Sequence, residues 1–168
     1  MSSTGRAIGS HHSAKSLNEE WLTPPEILKT LGPFDLDPCA PTIRPWNMAR
    51  KHYDITQDGL SLPWKGFVWC NPPYGLRNII WLERMAEYNN GIALVFARTE
   101  TRMFTRHIWP FADHLLFLHG RIHFHYVDGS RARGNCGGPS VLIAYGSTAC
   151  QRLSSCNLAG TLVTKWRK

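Results

Sequence analysis

The residues of this 168-residue chain best suited to chemistry are Asn71-Pro72-Pro73-Tyr74, which end an apolar run, Phe67-Val68-Trp69-Cys70. Two consecutive prolines remove two backbone donors and fix two φ angles. Pro72 also pushes Asn71 away from helical conformation. The turn is therefore stiff and offers carbonyl oxygens rather than N–H groups, and Asn71 adds a side-chain amide oxygen. A rigid cluster of acceptors suits a substrate that brings N–H donors, and Tyr74 adds a flat face for a planar ring. The exocyclic amine of a nucleobase fits that description. Its lone pair is delocalised into the ring, so it is a weak nucleophile. Acceptors on the Asn71 side chain and the Pro72 carbonyl can hold both amine hydrogens, aim the lone pair at an electrophile and stabilise the positive charge that develops. A base in a duplex must leave the stack to enter such a pocket, and stacking on Tyr74 offsets part of that cost.

The elements that must position these residues are readable along the chain. Thr23-Pro24-Pro25-Glu26 reads as a helix start with Thr23 as N-cap. Ile27, Leu28 and Leu31 give that helix one apolar face, and Gly32-Pro33 stops it. A short strand follows over residues 34–37, cut off by Pro38. Residues 41–62 are irregular, with a turn at Asp58-Gly59. The run at 67–70 reads as a central strand buried on both faces. Residues 78–88 have helical spacing through Ile79, Leu82, Met85 and Ala86, closed by Gly91. Residues 92–96 form the next buried strand. A helix is expected over 101–109 and a strand over 114–119. Residues 121–127 alternate with period two, residues 128–139 form a Gly- and Arg-rich loop, and residues 140–145 form another apolar strand. Strand and helix alternating through short connections predict an α/β fold around a mainly parallel sheet with an antiparallel edge. The ligand then lies beyond the carboxyl ends of the strands. This places Asp35-Leu36-Asp37-Pro38-Cys39-Ala40, Asn71-Pro72-Pro73-Tyr74 and Ala97-Arg98-Thr99-Glu100 around one crevice.

Composition narrows the partners. The net charge of +7 favours a polyanion such as nucleic acid. No stretch reaches the roughly 18 apolar residues that span a bilayer, so no membrane partner is expected. Residues 1–18 read as a flexible arm rich in Ser, Gly and His, with no signal-peptide core, and residues 19–168 as one domain. Cys39, Cys70, Cys136, Cys150 and Cys156 are odd in number and irregularly spaced. They make a poor disulfide framework and suggest a reducing, cytoplasmic setting. No metal site is expected. The His11-His12 pair reads as tail composition, and His114, His119, His123 and His125 with Cys136 lack the paired cysteines of a zinc site. Nothing in the sequence specifies an oligomer.

The ordered set Trp21-Leu22-Thr23-Pro24-Pro25, Phe34-Asp35-Leu36-Asp37-Pro38-Cys39-Ala40, Asp58-Gly59-Leu60 with Trp64, Asn71 to Gly75, and Ala97-Arg98-Thr99-Glu100-Thr101 resembles the phage-type DNA N-6-adenine methyltransferases. Gly120-Arg121-Ile122-His123-Phe124 resembles them too, and the likeness runs over about residues 21–145. The resemblance implies a Rossmann-like methyltransferase fold and S-adenosylmethionine as cofactor. It implies transfer of a methyl group to the N6 amine of adenine in DNA, in a bacterial, phage or prophage setting such as restriction-modification. Asn71, Pro72, Pro73 and Tyr74 match its catalytic motif. Thr23 and Pro24 match the segment near the methionine part of the cofactor. Asp37 matches the acidic strand end near the cofactor's amino group or ribose, and Asp58 a position near its adenine or ribose. Arg98 and Thr99 match a loop bordering the pocket. The Gly-rich turn that many methyltransferases carry after the first strand is replaced here by Asp37-Pro38-Cys39-Ala40, which brings Cys39 among the expected cofactor contacts.

Several alternatives stay open at the level of sequence. Asp35 and Asp37 alternate on one strand, and either can be the cofactor ligand. Asp58 is equally an Asp-Gly turn, and Arg98 a surface arginine. Asn71 lies only 34 positions after Asp37, which leaves no room there for an inserted target-recognition domain. Sequence reading is then assigned to residues 128–138, with Arg131, Arg133 and Asn135, and with Arg121 as a further DNA contact; the basic Lys165, Arg167 and Lys168 can touch DNA but read more simply as a solvated tail. Methylation of RNA or of a protein glutamine is the second enzymatic reading. A catalytically silent DNA-binding relative is the reading from another class.

Overall fold

A computed structural model describes residues 20–75 and 77–166. The expected arm at 1–18, its His11-His12 pair, and Arg167 and Lys168 lie outside the described residues. The elements are α1 (Pro25–Leu31), β1 (Leu36–Asp37), β2 (Lys51–His52), β3 (Val68–Cys70), α2 (Asn78–Tyr88) and β4 (Gly91–Phe96). A π-helical turn (Phe104–Ile108) follows, then β5 (His114–Leu118), β6 (Ser140–Tyr145), α3 (Ser147–Ser155) and β7 (Gly160–Val163). One seven-stranded sheet runs in the order β2-β1-β3-β4-β6-β5-β7.

Side-chain alternation along the strands gives the sheet two apolar faces. Trp69, Ile92, Leu94, Leu142 and Ala144 pack on one side with Ile27, Leu28 and Leu31 of α1 and Ala149 and Leu153 of α3. Val68, Cys70, Ala93, Val95, Val141 and Ile143 pack on the other with Leu82 and Met85 of α2 and Phe104 and Ile108 of the π-helical turn. β3, β4 and β6 are central and covered on both faces, which is why they read as unbroken apolar runs rather than alternating ones.

The expectation of a mainly parallel sheet needs correction. β2, β1, β3 and β4 pair in parallel, but β6 runs antiparallel between β4 and β5, and β7 runs antiparallel to β5. The longest ladder in the sheet is the antiparallel one between β4 and β6. The physical reason is the connection between β5 and β6. It carries no crossover helix, and a strand returning without a crossover comes back antiparallel.

Local boundaries also shift. Pro24, not Thr23, sits at the N-cap of α1, with no side-chain cap. α2 ends on Asn89 in the left-handed region at φ 54°, its N–H donating to the Met85 carbonyl. Gly91 instead opens β4, where a Cβ would sit 2.5 Å from the Val68 carbonyl oxygen. The 101–109 segment forms a π-helical turn over part of its length, and β2, α3 and β7 are elements that sequence periodicity did not single out.

The expected loop at 128–139 is not loose, and it pairs with the alternating segment before it. Cys136 N–H donates to the Ile122 carbonyl, Ala132 N–H to Phe124 and Tyr126 N–H to Ser130, which makes a two-stranded ribbon outside the main sheet. Asp128 Oδ1 closes its tip by accepting from Ser130 N–H (2.8 Å) and Oγ (2.6 Å). The ribbon is tied back by reciprocal backbone bonds between Leu22 and His125, at 2.9 and 3.0 Å.

Candidate active site

The loops leaving β1, β2 and β3 meet at the carboxyl ends of those strands, where open α/β sheets bind ligands. With the first turn of α2 and the segment before α1, they enclose a cleft of about 920 Å³. The cleft contains Thr23, Asp37, Cys39, Asp58, Asn71, Pro72, Pro73 and Tyr74. It also contains Asp54, Ile55, Arg77 and Ile80, which sequence reasoning did not select. Ile55 carried a weak signal as an isolated apolar residue in a polar stretch; it is 85% exposed on the cleft rim.

The loop after β2 is drawn tightly to the loop after β1. Asp58 adopts φ 51°, its carbonyl accepts from Ser61 N–H and Oγ, and the Gly59 carbonyl accepts from Trp64 Nε1 at 2.7 Å. A Cβ on Gly59 would fall 1.9 Å from the Pro38 carbonyl oxygen, a backbone atom that has no free rotation to escape. Gly59→Ala is therefore expected to force the two loops apart, at a cost of about 1–3 kcal/mol and with weaker cofactor binding. Thermal unfolding and calorimetric titration measure the two effects, and an unchanged melting temperature contradicts the close contact.

Asn71 is held weakly. Its Nδ2 lies 3.5 Å from Thr23 Oγ1, and its Oδ1 is buried with no hydrogen-bond partner among the described residues. A buried acceptor left unpaired costs about 1–3 kcal/mol, so such groups mark function more often than they mark fold. Trp69 Nε1, in the same wall, is the other side-chain atom of this kind in the cleft among the described residues. The Asn71 backbone carbonyl accepts from Cys39 Sγ at 3.4 Å, and Cys39 and Cys70 sulfurs lie 3.7 Å apart. The neighbouring Cys70 thiol and burial raise the Cys39 pKa well above its ordinary value, so the Cys39 thiol stays protonated.

Tyr74 lies with its ring stacked on Phe96, centroids 4.7 Å apart and planes at 23°, and edge-on to Phe124 at 6.5 Å. Its hydroxyl is pushed above the ordinary tyrosine range, first by burial and then by Cys136, so it remains neutral. Asp37 is 2% exposed and accepts from Cys39 N–H at 3.1 Å. Burial pushes its pKa up from 3.8 to about 7, against the lowering effects of that hydrogen bond and of Arg44.

The remaining expected contacts stand elsewhere. Asp35 does not line the cleft: its carboxylate accepts from Phe67 N–H at 2.8 Å and pairs with Arg50 at 3.3 Å, stitching β1 to the entry of β3. Pro24 is buried at the start of α1, its carbonyl accepting from Ile27 and Leu28. Arg98 lies outside the cleft lining, with its guanidinium over the Phe96 ring at 5.6 Å. Arg121, Arg131 and Arg133 are exposed on the ribbon, whose other side chains Ile122, Phe124 and Ala132 are buried.

Fold and site together define a mixed α/β protein with an Asn-Pro-Pro-Tyr turn in a nucleotide-sized cleft at the carboxyl edge of its sheet. The model of the DNA N-6-adenine-methyltransferase (Dam) family matches residues 10–159, and the chain belongs to that family. Neither a curated protein nor a solved structure matches it significantly. Membership implies adenine methylation in DNA and use of S-adenosylmethionine.

Proposed function

We propose that this chain transfers a methyl group from S-adenosylmethionine to the N6 amine of adenine at particular sequences in DNA. The observation that carries this reading is the buried, unpartnered Asn71 Oδ1 at the head of the proline-stiffened turn. We read the sheet as Rossmann-like, with β2, β1, β3, β4 and β5 running in one direction and helices on both faces, and residues 19–168 as the methyltransferase domain.

The cleft suits the cofactor. Glu20, Asp37, Asp54 and Asp58 line it against Arg77, the one basic residue in the lining among the described residues, which favours a ligand bearing sulfonium and ammonium charges. Asp37 and Thr23 would hold its methionine portion, and Asp58, Ile55 and Ile80 its nucleoside. The cofactor supplies the electrophilic methyl group. The protein holds the amine: Asn71 Oδ1 accepts one N–H and the Pro72 carbonyl the other, which concentrates electron density on nitrogen as it attacks. The free face of Tyr74 stacks on the adenine. As the N–C bond forms the methyl–sulfur bond would break and S-adenosylhomocysteine leave; no strong base is needed, because the amine becomes acidic only once it is methylated and then gives its proton to water.

The test is methyl transfer from labelled S-adenosylmethionine to unmethylated DNA, with the digested nucleosides resolved by mass spectrometry. Label on N6-methyladenine is the expected result. Cofactor binding without labelled DNA moves the substrate to RNA or protein, and no cofactor binding moves the chain to a silent DNA-binding role.

DNA recognition is assigned to the 122–136 ribbon. A two-stranded ribbon fits the major groove, and its exposed face carries Arg121, Arg131 and Arg133. Replacing Arg131 and Arg133 together by alanine is expected to weaken DNA binding and lower the slope of log K against log salt by about 2. The same slope in the double variant places the DNA surface elsewhere.

A further inference from the structure

We propose that Phe96 and Arg98 complete a target-nucleotide subsite, Phe96 as a positioning residue behind Tyr74 and Arg98 as the contact to a backbone phosphate flanking the extruded nucleotide. The proposal rests on the methyltransferase reading and goes beyond it.

Phe96 is the last residue of β4, rigidly paired with Ser140 of β6. Its ring is a fixed surface on which Tyr74 lies nearly parallel at 4.7 Å. Tyr74 needs such a surface. It follows the two prolines, but it precedes Gly75 at φ 106°, a position where a Cβ would meet nothing within 4 Å. Gly75 offers the ring no side chain to lean on. With one face against Phe96, the ring keeps its other face for the base, and the stacking energy of the base is not spent on ordering the tyrosine first. Gly138 allows the loop after the ribbon to close on the same ring, since a Cβ there would sit 3.3 Å from Phe96 Cδ1.

Arg98 lies two residues beyond Phe96 and is exposed. No salt bridge engages it among the described residues. Its guanidinium lies over the Phe96 ring at 5.6 Å. A guanidinium over an aromatic ring, with no carboxylate partner, keeps its N–H groups available for phosphate. Arg98 stands on the side of Phe96 outside the cleft lining, where a cation meets the DNA backbone that flanks the extruded nucleotide.

The experiment uses wild-type enzyme and three variants on duplex DNA carrying the sites mapped by labelling. Phe96→Leu keeps volume and removes the ring, and it is expected to lower kcat at least tenfold with the cofactor Kd and melting temperature near wild type. Phe96→Tyr is expected to keep most of the activity. Arg98→Ala is expected to lower the slope of log K against log salt by about 1 while the methylated sites stay the same. Wild-type turnover in Phe96→Leu, or equal losses in the leucine and tyrosine variants, overturns the platform. An unchanged salt slope in Arg98→Ala overturns the phosphate contact. Absence of methylated adenine with the wild-type enzyme would be a failure of the methyltransferase reading and is distinguished by that control.

Discussion

Asn71→Ala is expected to lower kcat by at least about 10²–10³-fold, the loss that follows removal of one preorganised polar group at a reacting centre. Cofactor affinity and melting temperature should stay near wild type. The reason lies in how the side chain is held. Its amide makes one long contact, to Thr23, and its oxygen has no partner among the described residues. Deleting a group that is already unpaired removes a desolvation cost rather than a bond, so little stability is lost. The catalytic loss comes from the amine, which then has only the Pro72 carbonyl to align it and to take up positive charge. Asn71→Asp separates this account from a steric one. It keeps an acceptor at Oδ1, which the Thr23 hydroxyl can support by donating to the other oxygen, and should retain far more activity than alanine. Single-turnover kinetics with labelled cofactor measure both variants. Near-normal turnover in Asn71→Ala would sink the mechanism.

How much of this was legible in the sequence depends on whether a feature is local. β3, α2 and β4 were, because a strand covered on both faces must be continuously apolar and a packed helix must repeat its apolar face. Asn71 to Tyr74 stood out because two prolines after such a strand have few purely structural uses. What failed was decided by distant partners. Alternation on β1 left Asp35 and Asp37 equal, and only the placement of the Phe67 N–H and Arg50 beside Asp35 separates them. Thr23 looked like a helix cap because the cleft that buries it is built by Asn71, 48 residues away. The antiparallel pairing expected at the edge reaches further in than an edge: β6 lies between β4 and β5, and the ribbon at 122–136 that precedes it pairs with Leu22, over a hundred residues away. A two-residue strand such as β2, inside an otherwise irregular stretch, carries too few residues for a period to show.

Asp37 should make both stability and cofactor affinity depend on pH, in opposite senses. Its pKa is about 7 in the folded chain against 3.8 for the free group, chiefly because burial disfavours the charge. The folded protein thus holds the proton more firmly than the unfolded chain. The stabilisation is complete below about pH 4 and is lost as pH rises through 7. The full shift corresponds to about 4 kcal/mol as an upper bound. Asp37→Asn keeps an acceptor for Cys39 N–H and removes the charge, so it should unfold at a higher temperature than wild type at pH 8 and show a flatter profile between pH 4 and 7. Cofactor binding runs the other way. A bound ammonium or sulfonium favours the carboxylate, so binding expels the proton, and affinity should rise with pH up to about 7 and level off above it. Asp37→Asn should bind the cofactor more weakly at pH 8 and lose that dependence. Calorimetric titration at pH 6, 7 and 8, in buffers of different ionisation enthalpy, reads the affinity and the released proton together. A wild-type Kd that ignores pH, or an asparagine variant that tracks wild type across the range, would show that the buried carboxyl does not face the cofactor's charge.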